Sequence, residues 1–224
     1  MLIGDWMTKD VITVQPETSM MKASKIMREN KIHRLPVVDD KGLLVGVVTD
    51  RDLKEASPSK ATTLDMHELY YLLSEIKIKD IMTRNPLAVN PGETVEKAAL
   101  IMLNNHIGGL PVVDDKGKVA GVITGSDVLK VLVRLTGITQ GGVQLAFKLQ
   151  NVPGALKALM EDLKALNMRV ISVLTSSGQE DEAHRQVYIR IFEPEKSVLA
   201  GMVDSLAAKY NMLYWVHEAA VPAK

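Results

Sequence analysis

The 224 residues are 46% apolar and 24% charged, an ordinary composition for a soluble globular protein with room for one large domain or two to three small ones. Lysine plus arginine and aspartate plus glutamate both number 27, and this zero net charge argues against a nucleic-acid partner and gives no support to an anionic membrane surface. No apolar run reaches the roughly 20 residues that cross a bilayer, and the start MLIGDWMTKD lacks the plan of a signal peptide. The absence of cysteine excludes disulfides, thiolate metal sites and thiol nucleophiles, and a cytoplasmic location is expected.

Along the chain, Ile12-Thr13-Val14 is a short extended piece closed by Pro16, and Met20–Asn30 places Met20, Ala23, Ile26 and Met27 at helical spacing. Leu35–Val38 reads as a strand, Asp39–Gly42 as a turn, Leu43–Val48 as a second strand, and Asp50–Ala56 as a helix opened by Thr49. The octapeptide LPVVDDKG, Leu35–Gly42, returns as Leu110–Gly117, 75 residues on. The same shift aligns Trp6–Leu53 with Ile81–Val128 without a gap, including Met7-Thr8 with Met82-Thr83 and Gly46-x-x-Thr49-x-x-Asp52 with Gly121-x-x-Thr124-x-x-Asp127. A period this long is a duplicated module, and two such small modules are expected to pack into one unit. Between the copies Leu64–Ile76 reads as an amphipathic helix. After a Gly/Thr-rich stretch at 136–142, read as a linker, the chain runs strand (Val143–Leu149), helix (Ala155–Leu166), two strands (Arg169–Thr175, Gln186–Phe192), helix (Glu195–Tyr210) and strand (Leu213–Glu218). That βαββαβ order is ferredoxin-like. The fold class is therefore α/β (α+β), a duplicated pair followed by a small sandwich, with boundaries at 1–56, 57–79, 80–135, 136–142 and 143–220.

Thr-x-x-Asp in each copy has two readings. It is a helix-capping box, and it is also suited to a nucleoside, because a carboxylate can accept hydrogen bonds from both ribose hydroxyls while the Thr hydroxyl and helix N–H groups face phosphate. His33-Arg34 similarly reads as a solvated pair or as a phosphate fork. The second copy has Gly108-Gly109 there and Gly125-Ser126 in place of Asp50-Arg51, so two unequal sites are expected. The adjacent acids Asp39-Asp40 and Asp114-Asp115 fit turn chemistry better than acid–base work. The five histidines show no metal-ligand spacing, and no nucleophile elbow, P-loop or dinucleotide fingerprint occurs, so neither an enzyme nor a metal site is expected.

Carried by MTxxxxTVxP, LPVVDDKG and the repeated G-h-h-T-x-x-D (h apolar), the duplicated part resembles a tandem pair of CBS domains, the Bateman module. The resemblance implies a regulatory rather than catalytic role, with an adenine nucleotide or S-adenosylmethionine as regulatory ligand and no catalytic cofactor. Carried over by position, the ligand would meet Thr13, Val14, His33, Arg34, Leu35, Pro36, Val37, Thr49, Arg51 and Asp52 in the first copy. In the second it would meet Ala88, Val89, Gly109, Leu110, Pro111, Val112, Thr124 and Asp127. The C-terminal part, with Asn151-Val152-Pro153-Gly154-Ala155-Leu156 after a strand, resembles an ACT domain, which implies an amino-acid ligand at that turn; a capped strand–helix loop is the plainer reading. Two CBS domains followed by ACT resemble the acetoin-utilisation AcuB-type proteins. The resemblances imply a homodimer and an unidentified partner protein; an amino-acid sensor using the CBS pair as a scaffold is the alternative.

Overall fold

The computed structural model describes residues 1–57, 74–177 and 181–221; most of the expected helix Leu64–Ile76 lies outside them. The chain divides into two compact units, Met1–Val128 and Leu129–Lys224.

In the first unit the two copies repeat one plan. Helix α1 (Met20–Asn30) starts where Ser19 accepts a hydrogen bond from the Lys22 amide, and it buries Met20, Ala23 and Met27. Strands β1 (Arg34–Val38) and β2 (Leu44–Thr49) pair antiparallel, and α2 (Asp50–Glu55) follows directly. After α3 (Ile78–Ile81) and β3 (Thr83–Arg84), the second copy gives α4 (Val95–Asn104), the β4 (Gly109–Val113) and β5 (Val119–Thr124) hairpin, and α5 (Gly125–Thr136). Both hairpin turns work alike. Asp39 Oδ1 accepts from the Lys41 and Leu43 amides, Asp114 Oδ1 from those of Lys116 and Lys118, and the glycines carry φ of +79° and +75°. These acids are engaged in turns. Of the expected strand Ile12–Val14, Val14 alone pairs, in parallel with Val37, and Val89 repeats the contact with Val112.

The copies exchange their leading segments. Thr8 bridges Val122 of the second copy, and β3, which leads into the second copy, pairs with β2 of the first at Gly46 and Val47. The exchange explains the repeated Met-Thr and glycine together. A Cβ on Gly121 would lie 2.4 Å from Met7 Sδ and 2.9 Å from the Thr8 carbonyl; on Gly46 it would lie 2.4 Å from Met82 Sδ. Each glycine is the seat for a methionine from the opposite copy.

In the second unit β6 (Gly142–Gln150), β7 (Val170–Ser177), β8 (His184–Ile191) and β9 (Asn211–Glu218) form one antiparallel sheet in the order β7-β8-β6-β9. With α6 (Ala155–Ala165) after β6 and α7 (Lys196–Lys209) after β8, this is the ferredoxin-like arrangement. Alternate strand residues Val143, Leu145, Phe147, Leu149, Val187, Ile189 and Ile191 bury one face beneath Leu159 and Leu163 of α6 and Met202 and Leu206 of α7. Residues 136–142, read as a linker, are built into this unit. β6 begins at Gly142, where φ is +92° and a Cβ would lie 2.1 Å from the Ile191 carbonyl, so no side chain fits. Buried Arg190 ties the stretch down: Nε donates to the Thr136 carbonyl at 2.9 Å, and Nη2 lies 2.6 Å from Glu218 Oε2.

Gly121→Ala is expected to destabilise the protein by about 1–3 kcal/mol, because both a sulfur and a carbonyl must give way. Removing the sulfur with Met7→Ala in the same chain is expected to recover part of that loss in denaturant unfolding. Independent, additive effects of the two substitutions would contradict the exchange packing.

Candidate functional site

Thr49-x-x-Asp52 is a capping box, and Thr124-x-x-Asp127 repeats its hydrogen bonds to the carboxylate. The Thr49 amide and hydroxyl donate to Asp52 Oδ2 at 2.7 and 2.8 Å, and the Asp52 amide returns a bond to the Thr49 hydroxyl at 3.4 Å. The Thr124 amide and hydroxyl donate to Asp127 Oδ2 at 2.9 and 2.7 Å. The geometric role leaves room for a second one: Asp52 Oδ1 accepts no hydrogen bond among the described residues. Asp52 is half-buried and Asp127 buried.

Arg34 departs from what its own copy suggests. Its guanidinium lies over the glycines of the other copy: a Cβ on Gly109 would fall 2.0 Å from Nη1, and one on Gly108 would fall 3.0 Å from Nη2. Burial lowers the pKa of Arg34 from the ordinary arginine value, while the carboxylates of Asp50 and Asp127 act against that shift. Gly108-Gly109 is thus the space that Arg34 occupies, and the positive charge missing from the second copy arrives from the first. The signal was present as an arginine in one copy facing a glycine in the other, but nothing in one dimension shows that aligned positions meet.

The remaining candidates separate into core and surface. Val14, Leu35, Pro36 and Val37 are buried, as are Val89, Leu110, Pro111 and Val112, so they act first as packing. Thr13 and Gly109 are half-buried, and Arg51 and Ala88 are exposed. His33 is exposed, with Nδ1 3.6 Å from Asp50 Oδ2. The structure therefore groups Arg34, Gly109 and Asp127 across the two copies and holds Thr49 with Asp52, while leaving Arg51 outside that grouping.

The CBS domain family model matches residues 3–59 and 78–134, half of the chain. The chain belongs to the CBS domain family. A CBS domain-containing protein of Dictyostelium discoideum is 37% identical over 134 residues, covering 60% of this chain and 92% of that protein. Among solved structures, the CBS domain pair of protein MJ0100 in complex with 5′-methylthioadenosine and S-adenosyl-L-methionine is 32% identical, with a TM-score of 0.50, covering 59% of this chain and 99% of that one. A candidate acetoin utilization protein (AcuB) from Vibrio cholerae is 28% identical, with a TM-score of 0.51, covering 62% of this chain and 94% of that one. Other relatives are much longer: the chain spans 24% of a homoserine O-acetyltransferase from Methanosalsum zhilinae.

Beyond the CBS pair, the turn after β6 is exposed at Asn151, Val152, Pro153 and Gly154, while Ala155 is half-buried and Leu156 packs on the core. Asn151 does not cap α6, whose N-cap is Gly154 with φ +90°. Its amide instead extends the strand pairing to the Ala183 carbonyl at 2.8 Å, and its side chain joins the Glu182 carbonyl to Arg185 Nε, at 3.2 and 2.9 Å. Beside it, hydrogen bonds from Lys148 and His184, at 2.8 and 3.0 Å, hold the Asp181 carboxyl at about 2. No group of three or more His, Cys, Asp or Glu able to hold a metal occurs among the described residues.

Gly109→Ala is expected to destabilise the pair by about 1–3 kcal/mol, and Arg34→Ala to relieve part of that cost; the Ile123 carbonyl, 2.7 Å from the added Cβ, accounts for the remainder. No coupling in a double-mutant cycle would place Arg34 elsewhere. For Asp181, a folded pKa below the unfolded value of about 3.9 gives stability that is present above that pH and lost as pH falls toward 2. Carboxyl NMR is expected to find its midpoint at about 2, and Asp181→Asn to flatten the acid side of the stability profile; a midpoint near 4 would dissolve the cluster.

Proposed function

We propose that this protein is a non-enzymatic regulator whose CBS pair binds an adenosine-containing ligand: AMP, ADP, ATP or S-adenosylmethionine. The observation that carries the reading is the placement of Arg34 over Gly108-Gly109, where Asp127 contributes to its electrostatic environment. Ribose hydroxyls would meet the carboxylates of Asp52 and Asp127, the base would lie against Val14 and Val37 or Val89 and Val112, and phosphate or another anionic group would meet Arg34. The complex of the MJ0100 pair with two adenosine compounds supports this ligand class. A ligand controls the pair only through its differential affinity for two arrangements. Arg34, seated in the opposite copy, is a natural element for a ligand to displace.

The C-terminal unit is read as an ACT domain, supported by its strand order and the Asn151–Leu156 turn. It relays the ligand's effect to a second copy or a partner protein, with an amino acid as its own ligand class. A place in acetoin utilisation draws its support from the likeness to the Vibrio cholerae protein.

Titration calorimetry with AMP, ATP, S-adenosylmethionine and adenosine tests the reading. Binding is expected, with Asp52→Ala and Asp127→Ala each weakening it. Arg34→Ala is expected to weaken AMP and ATP by roughly 10-fold or more and adenosine much less, since hydrogen bonds to charged groups contribute about 1.5–3 kcal/mol. Absence of binding at millimolar ligand would remove the nucleotide-sensor role.

A further inference from the structure

Two thioethers close the seam between the copies. Met7 reaches Gly121 and Met82 reaches Gly46, and a Cβ on either glycine would lie 2.4 Å from the methionine Sδ. Both glycines are buried, yet Met7 and Met82 are only half-buried, so each remains in touch with solvent. The core methionines Met20, Met27, Met102 and Met202 are 3, 5, 7 and 2% exposed. The chain has no cysteine, so thioethers are its only oxidisable sulfurs. Met160, Met168 and Met212 of the second unit are half-buried too, but they pack on that unit's own core and join no two modules.

On its glycine side each seat has room for a sulfur and nothing more. The added Cβ at Gly121 would also lie 2.9 Å from the Thr8 carbonyl, and the one at Gly46 would lie 3.1 Å from the Thr83 carbonyl. An oxygen bonded to the sulfur is a hydrogen-bond acceptor, and the carbonyls beside it are acceptors as well. Oxidation thus makes a flexible apolar side chain polar where no donor meets it, and burying such a group is unfavourable. The contacts at stake join the copies directly. The Thr8 amide donates to the Val122 carbonyl and the Val122 amide to the Thr8 carbonyl, both at 3.0 Å. Thr83 pairs with Val47, and Met82 packs on the core of the first copy.

We propose that Met7 and Met82 are oxidative modification sites: a peroxide converts each thioether to a sulfoxide and frees the exchanged segment, and a separate dithiol reductase reverses the change. In the forward step a sulfur lone pair takes one oxygen of hydrogen peroxide. The S–O bond forms as the O–O bond breaks, the second oxygen leaves as water with both protons, and two electrons pass from sulfur to peroxide. In the reverse step two thiols become a disulfide and the sulfoxide oxygen leaves as water. Those thiols belong to another protein, because this chain has none. The arrangement of the pair then responds to oxidant whether or not a nucleotide binds.

The test treats the full chain with hydrogen peroxide and follows each methionine by peptide mass spectrometry, with amide hydrogen exchange as the structural readout. Met7 and Met82 are expected to gain one oxygen roughly 10-fold faster than Met20, Met27 and Met102, because oxidation follows exposure. Their conversion is expected to speed exchange at the Thr8 and Val122 amides by roughly 10-fold or more. A methionine sulfoxide reductase with dithiothreitol is expected to restore the original protection. Met7→Leu/Met82→Leu conserves volume without sulfur and is expected to keep both amides protected under peroxide, with circular dichroism checking the fold. Should that variant not fold, Met21→Leu removes a 42% exposed sulfur away from the seam and is expected to respond as the unsubstituted chain does. The proposal is overturned if Met7 and Met82 stay unoxidised in the folded chain, or if their oxidation leaves Thr8 and Val122 as protected as before. It is also overturned if the folded leucine variant loses that protection equally, or if Met21→Leu abolishes the response, since either result assigns the effect to methionines elsewhere.

Discussion

The seat that each copy offers to a methionine from the other holds the CBS pair in one arrangement. Met7 lies against Gly121 and Met82 against Gly46, with the following threonines pairing to the strands those glycines belong to. A module of this size buries too small a fraction of its surface to be secure alone. Exchange of the leading segments makes the two modules a single folding problem, because neither sheet has its outer partner until the other copy is present. The identity of Met-Thr and of the glycine between copies is then one requirement seen twice: a flexible side chain that fills a hole, and the hole.

Where the copies differ, the same reciprocity applies in complementary form. Arg34 needs space that only glycine leaves, and Gly108-Gly109 provides it. A perfectly symmetric pair would bring one arginine from each copy against the other, with repulsion and no room. Breaking the symmetry at one pair of positions gives one cation a partly desolvated place near Asp127, where its interaction with an anion is less screened than at the surface. Divergence between the copies is therefore a structural device before it is a difference in ligand preference.

Much of this was legible in one dimension, for physical reasons. Period-3.6 spacing marked α1 to the residue, because burial on one face imposes that period directly, and the strand read at Val143–Leu149 lies within β6. Thr-x-x-Asp announced a cap and is one. The losses came where long-range geometry overrides local pattern. Asn151-x-Pro-Gly looks like the start of a helix, yet the Asn151 amide bonds the Ala183 carbonyl just past the end of β6, and α6 waits for Gly154. The glycines at 137, 141 and 142 look like a linker because flexible segments and tight backbone contacts both select glycine; the Ile191 carbonyl against Gly142 and the Glu218 carbonyl against Gly141 separate the two. Arg34 could not be placed from its sequence neighbours, since the glycines beneath it, Gly108 and Gly109, belong to the other copy.

The internal duplication also separates what the fold requires from what it merely tolerates, with no second protein needed. Residues identical in both copies at exchanged contacts, such as Met7, Met82, Gly46 and Gly121, answer to the shared scaffold. Residues that differ while the same element forms in both copies are released from that duty. Lys25 and Arg28 on α1 align in sequence with Leu100 and Leu103 on α4, and both helices begin at hydroxyl caps in the same register. A like-charged row that the scaffold can exchange for leucine carries a cost the fold does not demand.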